Sequence, residues 1–157
     1  MMGVMKSMEE ELKTDQEFFD LLTGSYARLT GKELVSADTS PTWLYEEAPF
    51  AVLAHNTDAD PRFIYANVTA QRLFGYPWSE FTRLPSRLSA KAPNRKERQR
   101  LLDAVSKNGF VDNYRGVRTT RAAREFWMED GVVWQLLDES GRFHGQAAAF
   151  SEWSFAD

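Results

Sequence analysis

The sequence predicts an α+β domain built on an antiparallel sheet. Three observations carry that reading. Two short apolar runs near residue 50, joined by turn residues, read as a hairpin. Several short helical stretches follow, each bounded by a cap or a breaker, with one longer amphipathic stretch at 95–107. The last third then reads as three strands with tight turns, without the strand–helix alternation of a parallel sheet. At 157 residues the chain has the size of one domain, and 43% hydrophobic against 27% charged residues is a globular balance that excludes wholesale disorder.

The elements follow in chain order. Residues 8–29 form a helix, because Leu12, Phe18, Phe19, Leu22, Tyr26 and Leu29 recur at spacings near three and four. Glu9, Glu10 and Glu11 suit its positive end, and Gly31 stops it. Residues 34–41 are a polar linker, and 42–47 a short helical turn ended by Pro49. Residues 1–39 are thus helix and linker, and 40–157 the main domain. Residues 49–55 are a buried strand and 62–65 its partner, across a turn rich in Asn and Asp. Asn67 caps a helix over 68–74 that Gly75 closes. Pro85 splits 78–88 into two short turns, and Gly109 ends the helix that Pro93 and Asn94 open. Strands at 110–119, 125–137 and 142–153 complete the domain. Phe126, Met128, Val132, Trp134 and Leu136 share one parity, although Glu129-Asp130-Gly131 has the composition of a bulge.

The run Phe63-Ile-Tyr-Ala-Asn67, then Ala70, Leu73-Phe-Gly-Tyr76 and Glu80-Phe81, resembles the front half of a PAS domain. Glu125-Phe-Trp-Met, Trp134, Leu136 and Asp138-Glu-Ser-Gly141 resemble its last two strands and their turn. Glu47-Ala-Pro-Phe50, the phrase from Glu80 to Leu88, Asp112-Asn-Tyr-Arg-Gly-Val-Arg118 and Gly145-Gln-Ala-Ala are similar to stand-alone bacterial MEKHLA-domain proteins. That PAS-like family also occurs at the C-terminus of plant class III homeodomain–leucine zipper proteins. The resemblance covers roughly residues 18–153. It implies a five-stranded antiparallel sheet with short helices on one face, a sensory or protein-interaction role, and no established reaction.

The resemblance places ligands between the inner sheet face and the short helices. The lining expected here is Val52, Phe63, Phe74, Phe81, Leu84, Leu88, Leu101, Val105, Phe126, Met128 and Trp134. Such a wall suits a small apolar or aromatic ligand, or it is simply the filled core of an interaction module. The cofactor is unknown. Haem is disfavoured because the long helix has no histidine; His55 and His144 read as strand-edge or surface residues. The chain has no cysteine, which excludes disulfides, cysteine metal sites and a covalent flavin–cysteine adduct.

Charge is uneven. Residues 83–124 hold twelve basic and three acidic side chains, although the whole chain carries −4. Arg95, Lys96, Arg98 and Arg100 start one helix and read as a solvated face, and without a recognition motif nucleic acid is an unlikely partner. Arg115 and Arg118 flank Gly116; pairing with Glu129 or Asp130 is expected in preference to binding a ligand carboxylate.

Catalytic patterns are weak. Six residues, not four, separate Gly24 from Gly31, so the stretch is not a phosphate loop. His55 with Asp58 or Asp60 would be an acid–base pair on an exposed turn, without a pocket. The chain is therefore expected not to be an enzyme; a small α+β enzyme is the third reading. No apolar run approaches the roughly 20 residues of a spanning helix, and the N-terminus lacks a signal pattern, so a cytoplasmic protein without membrane partners is expected. The apolar stripe of the N-terminal helix must be buried against its own sheet or against another chain, and the resemblance to PAS domains, which often do the latter, implies a homodimer. Without an output domain, signalling requires an unknown partner in trans.

Overall fold

The computed structural model describes residues 12–156. Helix α1 (Gln16–Thr30) starts where Asp15 accepts a hydrogen bond from the Phe18 N–H at 2.8 Å, and Gly31 closes it at φ 74°. The expected start at Met8, with Glu9 to Glu11, lies outside the described residues. Helix α2 (Pro41–Glu46) is capped by Ser40. Strands β1 (Ala51–His55) and β2 (Phe63–Ala66) follow, then α3 (Val68–Phe74) and α4 (Trp78–Phe81). Two 3₁₀ turns, Ser86–Ser89 and Ala92–Asn94, lead into α5 (Arg95–Asn108). Strands β3 (Phe110–Thr119), β4 (Glu125–Leu137), β5 (Phe143–Phe150) and β6 (Glu152–Phe155) complete the chain.

The antiparallel sheet has the order β2-β1-β5-β4-β3, with β6 also on β4. Val132 pairs with Ala149 and Glu129 with Glu152, so β5 and β6 keep one register along β4. They are the single strand expected from the sequence, interrupted at Ser151. The break faces a bulge in β4, where Asp130 takes φ 46°. Asn113, on the neighbouring β3, takes φ 50° where the β3–β4 register shifts. Asp and Asn tolerate this left-handed backbone better than other side-chained residues.

The bulge corrects the parity read from the sequence. One extra residue turns every later side chain to the opposite face. Phe126, Met128 and Val133 therefore share one core, while Trp134 and Leu136 belong to the other. The short helices cover the inner face, as expected. The outer face is covered too: Phe18, Phe19, Leu22 and Tyr26 of α1 pack with Tyr65 and Trp134. The Trp134 indole donates to the Leu22 carbonyl at 3.2 Å, and Tyr26 meets its ring edge-on at 4.9 Å. The stripe that suggested a second chain is thus buried on the chain's own sheet. Among the described residues, no helix is long and apolar enough to cross a membrane.

Asn67 ties three segments together. Fully buried, its Oδ1 accepts from the N–H groups of Ala70 and Val52, capping α3 and holding β1. Its Nδ2 donates to the carbonyls of Leu44 and Phe50. An apolar residue would orphan all four backbone groups.

Candidate functional site

A cavity lies between the inner sheet face and α5. The space open to the centre of a water-sized sphere is about 40 Å³, room for a few small atoms. Four of the residues expected from the sequence line it: Phe63, Phe74, Leu101 and Met128. Phe81, Val105 and Phe126 pack in the same core behind them, and half-buried Leu84 packs at its margin. Leu88 is half-buried and does not line the cavity. Val52 and Trp134 sit on the opposite face. Val52 alternates against Ala51 and Leu53, which face inward, and Trp134 lies beyond the bulge.

The aromatic residues explain why the cavity is small. Phe63 and Phe74 meet Phe81 edge-on at 5.0 and 5.5 Å, and Phe74 meets Phe126 at 5.2 Å. This favoured ring geometry fills the apolar end. What stays open is bounded by His55, Ser89, Arg98, Arg118 and Gln146, a polar wall that the sequence reading missed.

His55 is 9% exposed and Arg98 is 7% exposed, so neither is the surface residue expected. His55 follows Ala51 and Leu53 on the inward parity of β1. It pairs directly with Gln146 on β5, which sets the two side chains side by side on one face. Gly145 makes this approach possible: at φ 134°, a Cβ would stand 2.0 Å from the His55 carbonyl oxygen. Arg98 is three residues before Leu101 and seven before Val105, on the buried face of α5 rather than on a solvated stripe.

The hydrogen bonds fix what each group offers. His55 Nδ1 lies 3.1 Å from the Asn56 carbonyl, which can only accept, so Nδ1 carries the proton. Burial first, and then Arg98, hold the imidazole down to about 4 against the opposing contacts with the Asn56 carbonyl and the Gln146 side chain, so the ring is neutral near pH 7, and with the proton on Nδ1 a lone pair is left on Nε2. Gln146 Nε2 donates to the Leu102 carbonyl and Ser106 Oγ near the end of α5, at 3.3 and 3.2 Å. Gln146 Oε1 and His55 Nε2 are buried without a hydrogen-bond partner.

The two arginines differ. Arg118 donates to Tyr114 Oη at 3.0 Å and to the Val117 carbonyl at 2.8 Å. Tyr114 passes its own proton to Glu97 at 2.8 Å, and Glu97 stands 4.0 Å from Arg118. Gly116 lets the tyrosine fold back, since a Cβ there would lie 2.1 Å from its hydroxyl. Arg98 has no hydrogen bond or ion pair among the described residues. It is held down to about 10 by burial first and by Arg118 second. Arg115 does make the expected pair with Glu129 and lies over the Trp127 ring. Arg118 does not; it turns into the core. Sequence alternation and helical spacing pointed to His55, Gln146 and Arg98, and only their polarity argued against burial.

Elsewhere, His144 bonds Asp138 at 2.9 Å in the β4–β5 turn and holds that carboxyl well below the usual carboxylate range, aided by Ser140. No cluster among the described residues could hold a metal ion.

Solved structures share this architecture. The PAS domain of a protein from Colwellia psychrerythraea superposes with a TM-score of 0.56 at 14% identity, over 67% of this chain and 86% of that one. The photo-excited blue-light photoreceptor Vivid gives 0.55 at 15% identity, over 82% and 92%. A light-oxygen-voltage domain solved with a flavin analogue gives 0.54 at 14%, over 68% and 77%. The cavity here does not fit such a group as it stands: three fused rings exceed about 40 Å³ of open space, and the chain has no cysteine to bond one. No curated protein matches the sequence. The family model for the MEKHLA domain matches residues 16–155, nearly the whole chain and including α1. The chain therefore belongs to the MEKHLA-domain family, on a fold of the PAS and light-oxygen-voltage type.

Proposed function

We propose that this protein is a sensory module without catalytic activity of its own, which binds a small molecule between its inner sheet face and α5 and signals through a partner in trans. One observation carries the reading: two buried polar atoms, His55 Nε2 and Gln146 Oε1, lack partners at the wall of a cavity. Buried polar groups are almost always satisfied, so an orphan pair beside open space supports an absent ligand. The apolar or aromatic ligand expected from composition would have to displace the interlocked phenylalanines. A ligand at the polar end would not.

The test is native mass spectrometry of freshly purified protein, with denaturing conditions as control. Excess mass that is lost on denaturation, and absent from a cavity-filling Ala148→Leu variant, is the expected result. A bare mass, together with no thermal shift from a metabolite panel, refutes the reading.

The tight aromatic packing favours a second reading, an interaction module with a filled core that works as a homodimer in the cytoplasm. Such a dimer would need a surface other than the α1 stripe, which the sheet already covers. Light scattering after size-exclusion chromatography decides it: a bare dimer supports this reading, and a bare monomer removes it.

A further inference from the structure

We infer that the cavity binds a short-chain carboxylate bearing a hydrogen-bond donor beside its carboxyl group: a small hydroxy acid or amino acid. This rests on the reading of the cavity as a ligand site and adds the ligand's chemistry.

The two sides of the cavity ask for opposite things. On one side stand two guanidinium groups from different elements, Arg98 on α5 and Arg118 on β3. Arg118 is engaged by Tyr114 and the Val117 carbonyl, with Glu97 at the edge of reach. Arg98 is not engaged. The charged or phenolic groups that act on it are Arg118, which repels it, and Tyr114. A buried cation without a counter-charge is strongly unfavourable. Its planar fork of donors matches the two oxygens of a carboxylate.

On the other side stand two acceptors. His55 Nε2 has only a lone pair, because the ring's proton is committed to the Asn56 carbonyl. Gln146 Oε1 is an acceptor by constitution, and turning the amide over would set it against the Leu102 carbonyl, which can only accept. The strand register puts these side chains next to each other. Neither atom has a hydrogen-bond partner, although Arg98 and the Gln146 side chain both act on the imidazole.

A bare anion satisfies Arg98 and leaves the two acceptors facing negative charge. A water satisfies the acceptors and leaves Arg98 without a counter-charge. A molecule with a carboxylate at one end and a hydroxyl or ammonium on the adjoining carbon meets both demands at once. Phe63, Leu101 and Met128 leave an apolar wall suited to a methyl group, and about 40 Å³ suits acids of two or three carbons. His55, Arg98 and Gln146 also border an outer groove with Asp58 and Asp103 on its rim, beside the Asp60–Arg87 ion pair. Those carboxylates favour a ligand that carries a positive or neutral donor over a simple anion.

The experiment is calorimetric titration of the full chain, with melting temperature in parallel, at constant ionic strength. The probes are glycolate, lactate, glycine, alanine, acetate and methylammonium. At least one acid with a donor is expected to bind ten or more times as tightly as acetate. Methylammonium is expected not to bind. Arg98→Met should abolish binding, and Gln146→Leu should erase the preference over acetate while both variants remain folded by circular dichroism. The hydroxy and amino acid arms separate the two donor types. Equal binding of acetate overturns the donor requirement. Unchanged binding by Arg98→Met overturns the site. If no acid binds but the purified chain carries another molecule that Ala148→Leu excludes, the ligand class falls and the sensory reading stands. If the chain carries nothing and nothing binds, both fall.

Discussion

Removing the charge of Arg98 should stabilise the ligand-free protein. The side chain is 7% exposed and has no hydrogen bond or ion pair among the described residues. Its folded-state proton affinity is depressed to about 10, by burial and then by Arg118. At about 1.4 kcal/mol per tenfold change, the cation is disfavoured in the fold by about 3 kcal/mol. Methionine keeps most of the apolar stem and discards the charge, as when buried ion pairs are replaced by hydrophobic residues. Arg98→Met should therefore gain about 1–3 kcal/mol. For a chain of this size, a gain of about 2 kcal/mol raises the melting temperature by about 4–8 °C. The sign with pH follows: both folded and unfolded states carry the charge near neutrality, so the penalty is full there. It declines only above about 10, as the folded state sheds its proton. The assay is urea unfolding of desalted wild type and variant near pH 7, read by tryptophan fluorescence, with the slope on denaturant confirming that the same surface unfolds. A variant less stable than wild type by more than about 1 kcal/mol would refute the reasoning. Arg98 would then be a structural donor and not a group waiting for a counter-charge.

Three further predictions follow from other parts of the fold. His55 is held down to about 4 in the fold, below its unfolded value near 6.5, so the unfolded state takes up the extra proton first. Its contribution is intact above about pH 6.5 and lost as pH falls toward about 4, to a total of about 3 kcal/mol. His55→Gln should flatten that slope when urea midpoints are compared across this range; an unchanged slope rules the assignment out. Asn67→Ala removes a helix cap and orphans the buried Val52 N–H with the Leu44 and Phe50 carbonyls, a loss of about 4 kcal/mol in the same urea assay. A loss below about 1 kcal/mol would mean that the backbone groups find water. Gly145→Ala puts a methyl 2.0 Å from the His55 carbonyl, so β5 must leave β1 and soluble yield should collapse; a normally folded variant would show that the strands do not approach so closely.

Much of the fold was legible because local chemistry decides it. Asn67 and Gly75 bound α3 as a cap and a left-handed stop must, and Gly109 ends α5. The five-strand path follows from turns that the sequence marks. The site was harder for three separate reasons. The composition of Glu129-Asp130-Gly131 gave the bulge, but carrying it through to Trp134 required knowing that Asp130, like Asn113 on the neighbouring strand, takes a left-handed backbone that reverses the alternation beyond it. Arg98 lay in a run of basic residues whose ordinary fate is solvent, and only its spacing to Leu101 and Val105 pointed inward. His55 and Gln146 each continued an inward alternation, but their juxtaposition depends on a β1–β5 pairing between strands some ninety residues apart. Local periodicity assigns a face; long-range pairing decides which two side chains share it.

The docking of α1 has a thermodynamic consequence for any partner. The outer sheet face already has an occupant that is covalently attached, held by Leu22, Tyr26 and the Trp134 indole bond. A protein that seeks the same face competes with a tethered ligand at high effective concentration. Its observed affinity is its intrinsic affinity multiplied by the fraction of molecules with α1 released, a tenfold loss for every 1.4 kcal/mol of docking free energy. The β4 strand presents Met128 and Val133 to the cavity and Trp134 to α1. A displacement of β4 on the cavity side would therefore be felt at the Trp134 contact with α1, and would change that fraction.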